Sequence, residues 1–503
     1  MTTASMDAEE AAFKAACANV EKWWQEPRWK GVVRPYSASD VVMKSGTLEQ
    51  SYASSTQAKK LWNLIQTHGS EKQPLHTMGA IDPVQMTQMA PFQKVLYVSG
   101  WACSSVLTTT NEVSPDMADY PYNTVPNQVQ RLFKAQQLHD RRAYDAWRSM
   151  PFHERSKTSF VDYLRPIIAD ADAGHGGLTS VMKVAKLFAE NGAAAIHMED
   201  QMHGGKKCGH QAGKVVVPTS EHVNRLIASR LQWDIMRCDN LLIARTDADS
   251  AKLISSSVDG RDHEFILGIH KPSKPMAEAL YEAEMDNAPS SRINEIEKKW
   301  LDANKLCTFD EAVEMALQKS SRESQFSKYK AAVKGKTIWD ARQIAREFVG
   351  AEVFFDWDAP RTREGYYQFA GGLEAATKRV QAFAPYSDLL WLETKTPNLK
   401  EASGFASKLR ASHPEKYLVY NLSPSFNWSA HGFSDSDLKN FLWDLAKEGF
   451  VLQLVSLAGL HSGAAITREL AQRFESEGMF AYVDVVQRRE KEVGTDVLTH
   501  QKW

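Results

Sequence analysis

The segment Lys206-Lys207-Cys208-Gly209-His210 brings two cations, a thiol and an imidazole into five consecutive positions. Cationic neighbours lower the pKa of a thiol, so Cys208 is predicted to exchange a proton near neutral pH. Gly209 would let the backbone approach a bound molecule closely. The alternative is a solvated basic loop that contains an incidental cysteine.

Carboxylates in and around the apolar runs that precede this segment predict a metal site. Asp170, Asp172 and Glu199, together with Asp116 from an earlier loop, form a set of oxygen donors. Hard oxygen donors without a Cys or His partner suit Mg²⁺ or Mn²⁺ better than zinc. A single aspartate of this set could instead cap a helix, but four carboxylates at one site would repel one another without a cation.

Arg245 lies near the end of another apolar run, NLLIARTDA. A guanidinium at the end of a buried strand needs an anion, and a substrate carboxylate is the first candidate. Internal pairing with Asp247 or Asp249 is the structural alternative, because buried arginines are usually satisfied in this way.

A second carboxylate site is predicted in the run YLVYNLSP and the residues that follow it. Asn421, Ser423 and Ser425 alternate along the chain, so a strand would present all three on one face as hydrogen-bond donors. The alternative is a polar turn around Pro424. Two anion sites, a metal, a thiol and Tyr97 at a strand end fit retro-aldol C–C cleavage of a small polycarboxylate. In that reaction a base takes a hydroxyl proton and an acid protonates the carbanion.

The elements that must position these residues are short β-branched runs, separated in most cases by helical patterns. This alternation predicts an α/β fold, and eight such units match an irregular (β/α)₈ TIM-type barrel with its active site at the carboxyl ends of the strands. A doubly wound open sheet is the alternative, although no GxGxxG motif follows an early strand. The predicted strands span 76–82, 95–100, 166–172, 193–200, 240–248, 388–394, 417–424 and 450–457.

Interruptions in this alternation of strand and helix patterns predict how the chain is divided. The region between roughly 270 and 350 is rich in Lys, Glu, Ala and Ser and reads as helical. We therefore predict an N-terminal helical extension (1–75), a first part of the barrel (76–270), a helical insertion (271–350), a second part of the barrel (351–462) and C-terminal helices (463–503).

The composition of the 503 residues is that of a globular enzyme, with 43% hydrophobic and 24% charged residues. A net charge of −2 argues against a nucleic-acid partner, and no apolar run is long enough to span a membrane. Five scattered cysteines indicate a reducing compartment. The acidic start MTTASMDAEE and the end THQKW carry neither a transit peptide nor a peroxisomal signal, so we expect a cytosolic protein or an imported mature chain.

Several motifs resemble the isocitrate lyase family in its long eukaryotic form, over about residues 20–480: KKCGH, YVSGW, DYLRPIIADADAGHGG, HMEDQ, ARTDA, LWLET and NLSPSFNW. The resemblance implies the irregular barrel, a homotetramer with helices exchanged between subunits, Mg²⁺ dependence, a tricarboxylate substrate and release of succinate. It also implies roles for individual residues. Cys208 would protonate the succinate carbanion with Lys206 and His210 beside it, Tyr97 would be a candidate base, and Asp170 would bind the metal directly, with Asp116, Asp172 and Glu199 on metal-bound water. The α-keto-acid half would contact Ser99, Gly100, Trp101, Gly209, His210 and Arg245, and the succinate half would contact Glu393, Asn421, Ser423 and Ser425.

One stretch departs from the usual isocitrate lyase pattern, which reads Phe-x-Thr before Leu-Ala-Gly. This chain has Leu454 and Ser456 at those positions, which removes volume at the substrate pocket and is similar to the fungal-type 2-methylisocitrate lyases. The resemblance therefore implies cleavage of (2S,3R)-2-methylisocitrate to pyruvate and succinate in the mitochondrial matrix, within the methylcitrate cycle of propionate breakdown. The alternatives are an isocitrate lyase of the glyoxylate cycle, in which both changes are neutral, and a barrel that binds dicarboxylates without catalysis.

Overall fold

Parallel strands form a barrel at the centre of the computed structural model, which describes residues 3–114, 116–205, 213–495 and 497. The strands are β1 (Leu75–Met78), β2 (Leu96–Val98), β3 (Ile167–Asp170), β4 (Ala193–Glu199), β5 (Val215–Val216), β6 (Leu241–Thr246), β7 (Leu253–Ile254), β8 (Tyr367–Gln368), β9 (Leu389–Leu392), β10 (Tyr417–Asn421) and β11 (Phe450–Val455). All eight predicted strands are present.

The barrel has eight strands in the order β1-β11-β10-β9-β6-β4-β3-β2, and every neighbouring pair within that order is parallel. It closes between β1 and β2, where Gly79 bridges Tyr97 and the amide of Ala80 donates a hydrogen bond of 3.0 Å to the Tyr97 carbonyl. The predicted (β/α)₈ architecture is therefore confirmed. The remaining strands, β5, β7 and β8, form a small separate sheet that the sequence did not predict.

Helices cover the barrel and extend from it. The α-helices are α1 (Thr3–Trp24), α2 (Ala38–Ser45), α3 (Ala53–Glu71), α4 (Pro83–Met89), α5 (Gly100–Val106), α6 (Thr124–Ser149), α7 (Phe152–Arg155), α8 (Leu178–Glu190), α9 (Thr219–Ile235), α10 (Met276–Met285), α11 (Ser290–Ala303), α12 (Phe309–Lys319), α13 (Phe326–Ala332), α14 (Ile338–Val349), α15 (Leu373–Phe383), α16 (Leu399–Ser412), α17 (Asp435–Lys447), α18 (Ala458–Glu477), α19 (Met479–Tyr482) and α20 (Arg489–Val493). Short 3₁₀ helices occur at Pro27–Trp29, Gly260–Phe265, Glu323–Gln325, Ala384–Tyr386 and Trp428–His431, and a π-helix spans Val483–Arg488.

The barrel interior is a packed core, since its inward-facing side chains, among them Tyr97, Ile243 and Leu454, form one buried apolar cluster. Leu61 and Ile65 of α3 join this cluster beside the first residues of several strands, so α3 closes the amino end of the barrel. The carboxyl end carries the polar residues described below.

Helices α10–α14 lie between β7 and β8 and have apolar clusters of their own. They occupy the region predicted to be a helical insertion. Helix α18 has Gly459 as its sole buried residue, so this long C-terminal helix projects from the barrel. In the part of the chain that the structure covers, none of the helices has the length and apolarity needed to cross a bilayer.

Candidate active site

The register of the parallel strands brings functional side chains together at the carboxyl end of the barrel. On β4 and β6, Glu199 is the partner of Arg245, and on β6 and β9, Arg245 is the partner of Trp391. On β3 and β4, Asp170 is the partner of His197. Because partners in a parallel pair point to the same face, these side chains meet inside the barrel mouth.

A cavity at this mouth collects most of the predicted site residues. Its described lining consists of Tyr97, Ser99, Trp101, Asp116, Asp170, Arg245, Trp391, Glu393, Asn421, Ser423, Ser425, Ser456 and Leu457. Of these, Trp391 and Leu457 are the two residues that sequence reasoning did not assign to the site.

The four predicted metal carboxylates occupy two layers. Asp116 and Asp170 line the cavity, whereas Asp172 and Glu199 are fully buried and absent from its lining. Among the described residues, no three side chains of Asp, Glu, His or Cys converge as a closed coordination site. The oxygen-only pair that faces the cavity fits a hard divalent cation that keeps several water ligands, rather than a fully protein-caged ion.

Asp170 is held by two backbone amides, one at the start of α5 and one in the loop after β3. Its Oδ2 accepts a hydrogen bond of 3.0 Å from the Gly100 amide, and its Oδ1 accepts one of 3.0 Å from the Asp172 amide. A Cβ atom at position 100 would lie 2.5 Å from the Tyr120 hydroxyl and 3.1 Å from Asp170 Oδ2, so the close approach requires glycine. Asp172 has a φ of 48°, an uncommon conformation for a non-glycine residue and typical of functional loops.

Arg245 is surrounded by carboxylates. Its Nε and Nη2 donate hydrogen bonds of 2.9 and 3.0 Å to Asp247, its Nη2 lies 3.2 Å from Glu199, and its Nε lies 3.9 Å from Glu393. Burial alone would lower the pKa of Arg245, but Asp247, Glu393 and Glu199 raise it well above its usual value. The internal pair with Asp247 is therefore real, and Arg245 lines the cavity as well.

Tyr97 is buried, and its hydroxyl forms a hydrogen bond of 2.9 Å with Nε2 of His197. The same nitrogen lies 3.4 Å from Oδ1 of Asp170. Burial and the charge of Asp170 raise the pKa of Tyr97 well above its usual value. The phenol is thus protonated near neutral pH, and a role as base requires a partner that accepts its proton or a cation that lowers its pKa.

The prediction that Asn421, Ser423 and Ser425 alternate along one strand is wrong, because β10 ends at Asn421. Pro424 cannot donate to a strand ladder, and the two serines lie in the turn that follows. All three residues nevertheless line the same cavity, and Asn421 Nδ2 donates a hydrogen bond of 3.1 Å to Glu393.

Leu454 lies within β11, whereas Ser456 follows the end of the strand. Ser456 lines the cavity, whereas Leu454 is fully buried in the barrel core and does not line it. The expectation of direct substrate contact at Leu454 is corrected accordingly: its side chain forms part of the support beneath the cavity.

Comparison with known proteins decides the family. A sequence model described as the isocitrate lyase family matches residues 16–503. The chain belongs to this family. Its relatives include the mitochondrial 2-methylisocitrate lyase of Hypocrea atroviridis, 60% identical over 99% of this chain and 89% of that protein, and the mitochondrial 2-methylisocitrate lyase of Saccharomyces cerevisiae, 55% identical over 97% and 86%. The isocitrate lyase of Oryza sativa subsp. japonica is 47% identical over 98% of this chain and 88% of that protein.

In this isocitrate lyase family member, four of the predicted site residues belong to the segment that follows β4. Lys206, Cys208, Gly209 and His210 lie outside the described residues. Ser99 lines the cavity and also caps α5, where its Oγ accepts a hydrogen bond of 3.3 Å from the Ala102 amide.

Sequence reasoning assigned no role to several residues that contact the predicted ones. The Tyr120 hydroxyl donates a hydrogen bond to Asp172, and His175 Nε2 lies 3.4 Å from the same carboxylate. His197 could have been noticed within HMED, since it shares a strand face with Glu199. Tyr120, by contrast, lies in a segment whose sequence carries no comparable signal.

Proposed function

We propose that this chain is a 2-methylisocitrate lyase, which cleaves 2-methylisocitrate to pyruvate and succinate. The observation that carries the proposal is the end of β11, where Ser456 lines the cavity and Leu454 lies in the core beneath it. Both are smaller than the Thr and Phe usual in isocitrate lyases, and the substrate of the proposed enzyme carries one additional methyl group. Two relatives, at 60% and 55% identity, are named mitochondrial 2-methylisocitrate lyases.

The two carboxylate sites suit the two halves of this substrate. Arg245 would bind the half that becomes pyruvate, and Asn421, Ser423 and Ser425 would bind the half that becomes succinate. Asp170, with Asp116, would hold a divalent cation, Mg²⁺ or Mn²⁺, with Asp172 and Glu199 behind them. When bound, that cation would stabilise negative charge that develops on the substrate oxygens.

In the proposed reaction a base removes the proton of the substrate hydroxyl, and the oxygen becomes the keto oxygen of pyruvate. The electron pair of the broken C–C bond remains on the succinate carbon, and Cys208 gives that carbon its proton. Tyr97 is the candidate base, and its hydrogen bond to His197 supplies a route by which the phenol can lose its own proton.

We further propose that the subunits form a homotetramer in the mitochondrial matrix with exchanged C-terminal helices. Helices α18–α20 carry exposed apolar side chains, including Ile466, Phe474, Met479 and Phe480, of which 47%, 48%, 63% and 54% are exposed. Such a surface favours burial against another subunit. Light scattering of the purified protein tests the assembly: a monomeric mass would contradict it.

The experiment that tests the proposed activity is a comparison of kcat/KM for 2-methylisocitrate and isocitrate on the same preparation with Mg²⁺. We expect 2-methylisocitrate to be preferred and isocitrate to remain a weak substrate, because accommodating one methyl group is worth about 1–3 kcal/mol. A preference for isocitrate would make the chain an isocitrate lyase. Absence of turnover on both substrates would favour a barrel that binds without catalysis.

A further inference from the structure

Lys214 is a fully buried lysine beside the candidate active site. Its Nζ lies 2.5 Å from Oδ1 of Asp247, and both side chains are 0% exposed. Its carbonyl accepts hydrogen bonds of 3.3 Å from the amides of Lys252 and Leu253, so the small sheet of β5, β7 and β8 fixes its backbone. Lysine is almost never fully buried unless it is paired, and its place here calls for a specific partner.

That partner, Asp247, is shared between two cations. One of its oxygens contacts both Lys214 and Nη2 of Arg245, and the other accepts the hydrogen bond from Arg245 Nε. Burial alone would raise the pKa of Asp247, but Arg245 and Lys214 lower it below its usual range. Asp247 is therefore an anion that joins the two cationic side chains.

Arg245 needs this arrangement because it faces more than one carboxylate. Glu199 lies 3.2 Å and Glu393 3.9 Å from its guanidinium, in addition to Asp247. A substrate carboxylate that approaches Arg245 is repelled by all three acids. Lys214 supplies a second positive charge at this cluster and so reduces the repulsion.

The geometry also decides which part of the guanidinium remains for a ligand. Both hydrogen bonds to Asp247 leave from Nε and Nη2, and Nη1 of Arg245 has no hydrogen bond to another residue among those the structure describes. Asp247 can hold this orientation because its own amide donates a hydrogen bond of 2.9 Å to Asp200.

We propose that Lys214 is a positioning residue for carboxylate recognition. Its positive charge compensates the negative charge of Asp247, and Asp247 orients Arg245. In that orientation Nη1 of Arg245 can bind the carboxylate of the α-keto-acid half. The inference deepens the proposed function and rests on it for the identity of that half. Lys214 itself does not touch the substrate in this account.

The test compares Lys214→Met with Lys416→Met. Lys416 is a matched control, since it is also buried but lies at the start of β10, where its Nζ donates hydrogen bonds of 2.7 and 3.0 Å to the carbonyls of Ser387 and Gly31. We measure the inhibition constants of pyruvate and succinate, together with KM and kcat. Lys214→Met should raise the pyruvate constant about tenfold or more, the equivalent of about 1.4 kcal/mol, and leave the succinate constant within about twofold. Lys416→Met should leave both constants unchanged.

Lys214→Arg, which retains the charge, should restore most of the pyruvate binding. If Lys214→Met does not fold, Lys214→Gln takes its place, because it removes the charge but keeps a hydrogen-bond donor for Asp247. An unchanged pyruvate constant, or equal weakening of both products, would overturn the inference. If the wild type cleaves isocitrate instead, the proposed function fails, and the same comparison with glyoxylate still tests the role of Lys214.

Discussion

The two ends of the barrel both contain buried arginines and aspartates, but their charges are arranged differently. At the amino end, Asp388 accepts hydrogen bonds of 2.7 Å from Arg28 and 2.5 Å from Arg230, and its second oxygen also accepts one of 2.7 Å from the Leu242 amide. Trp29 lies beside both cations, with its ring centroid 4.4 Å from Arg28 and 5.1 Å from Arg230. Arg28, Arg230 and Asp388 thus have oppositely charged partners within the fold.

At the carboxyl end the acidic side chains outnumber the basic ones. We define the mouth cluster as the carboxylates Asp116, Asp170, Asp172, Glu199, Asp247 and Glu393 with the cations Lys214 and Arg245. Counted over the described residues alone, it has three times as many acids as bases. An excess of buried charge is costly in a folded protein unless a ligand compensates it. From this comparison we propose that the amino-end cluster serves the fold, whereas the acid-rich mouth cluster is the place where a cation and a substrate bind.

The largest expected effect concerns Cys208, the proposed proton donor. Cys208→Ser should lower kcat by on the order of 10²–10⁴-fold, because a hydroxyl is a far weaker acid than a thiol. The melting temperature should remain nearly unchanged. Cys307→Ser is the control: Cys307 is buried in the insertion, and burial raises its pKa to about 11. Near-wild-type kcat in Cys208→Ser, measured at saturating substrate, would remove this residue from the mechanism.

At the amino end we expect the opposite result from Asp388→Asn. Burial alone would raise the pKa of Asp388, but Arg230 and Arg28 lower it, so the buried carboxylate is anionic and its loss leaves two cations uncompensated. The free energy of unfolding should fall by about 3–5 kcal/mol. The value of kcat, calculated per folded molecule, and the value of KM should each remain within about twofold of wild type. A selective loss of activity without loss of stability would show that the amino end also takes part in function.

A smaller effect is expected just beneath the mouth. The double variant Leu454→Phe with Ser456→Thr should lower kcat/KM for 2-methylisocitrate relative to isocitrate by about 10–200-fold, because a filled pocket cannot admit the methyl group without strain. Ser456→Thr alone should account for part of the change, since Ser456 lines the cavity and Leu454 supports it from below. Equal effects on both substrates would indicate that neither residue determines specificity.

The smallest effect concerns the pH dependence of stability. Burial lowers the pKa of Lys416 to about 8, so above that pH the unfolded chain binds more protons than the folded one. The contribution of Lys416 to stability therefore rises with pH between about 8 and its unfolded value. Relative to Lys416→Met, the wild type should gain about 1 kcal/mol between pH 7 and pH 9, as measured by denaturant unfolding. A constant difference across this range would contradict the shift.

The barrel could be predicted from the sequence because strands such as β4 and β6 are buried on both faces and read as largely apolar runs. The small sheet could not, because β5, β7 and β8 have two residues each and no detectable period. The end of β10 was misjudged for a related reason: alternation of Asn421, Ser423 and Ser425 continues in the sequence beyond the residue at which the strand ends.

In the candidate site, strand-end residues such as Asp170 and Arg245 could be predicted because the carboxyl ends of parallel strands meet. What the sequence could not provide was the layer that each side chain occupies. Asp172 and Glu199 lie behind the cavity, and Lys214 contacts Asp247, which is remote from it in the chain. Such contacts depend on the register between strands and on the path of loops, neither of which is encoded in a local pattern.

The most direct test of the contrast between the two ends is the increase in melting temperature that Mg²⁺ produces in the wild type, Asp170→Asn and Asp388→Asn. A ligand that binds the folded state alone stabilises it, by about 2.7 kcal/mol at a concentration of 100 times its Kd. We predict that Mg²⁺ raises the melting temperature of the wild type and of Asp388→Asn by the same increment, although the latter starts from a lower value, and that Asp170→Asn shows no increment. An undiminished increment in Asp170→Asn, or its loss in Asp388→Asn, would contradict the assignment of the cation site to the carboxyl end.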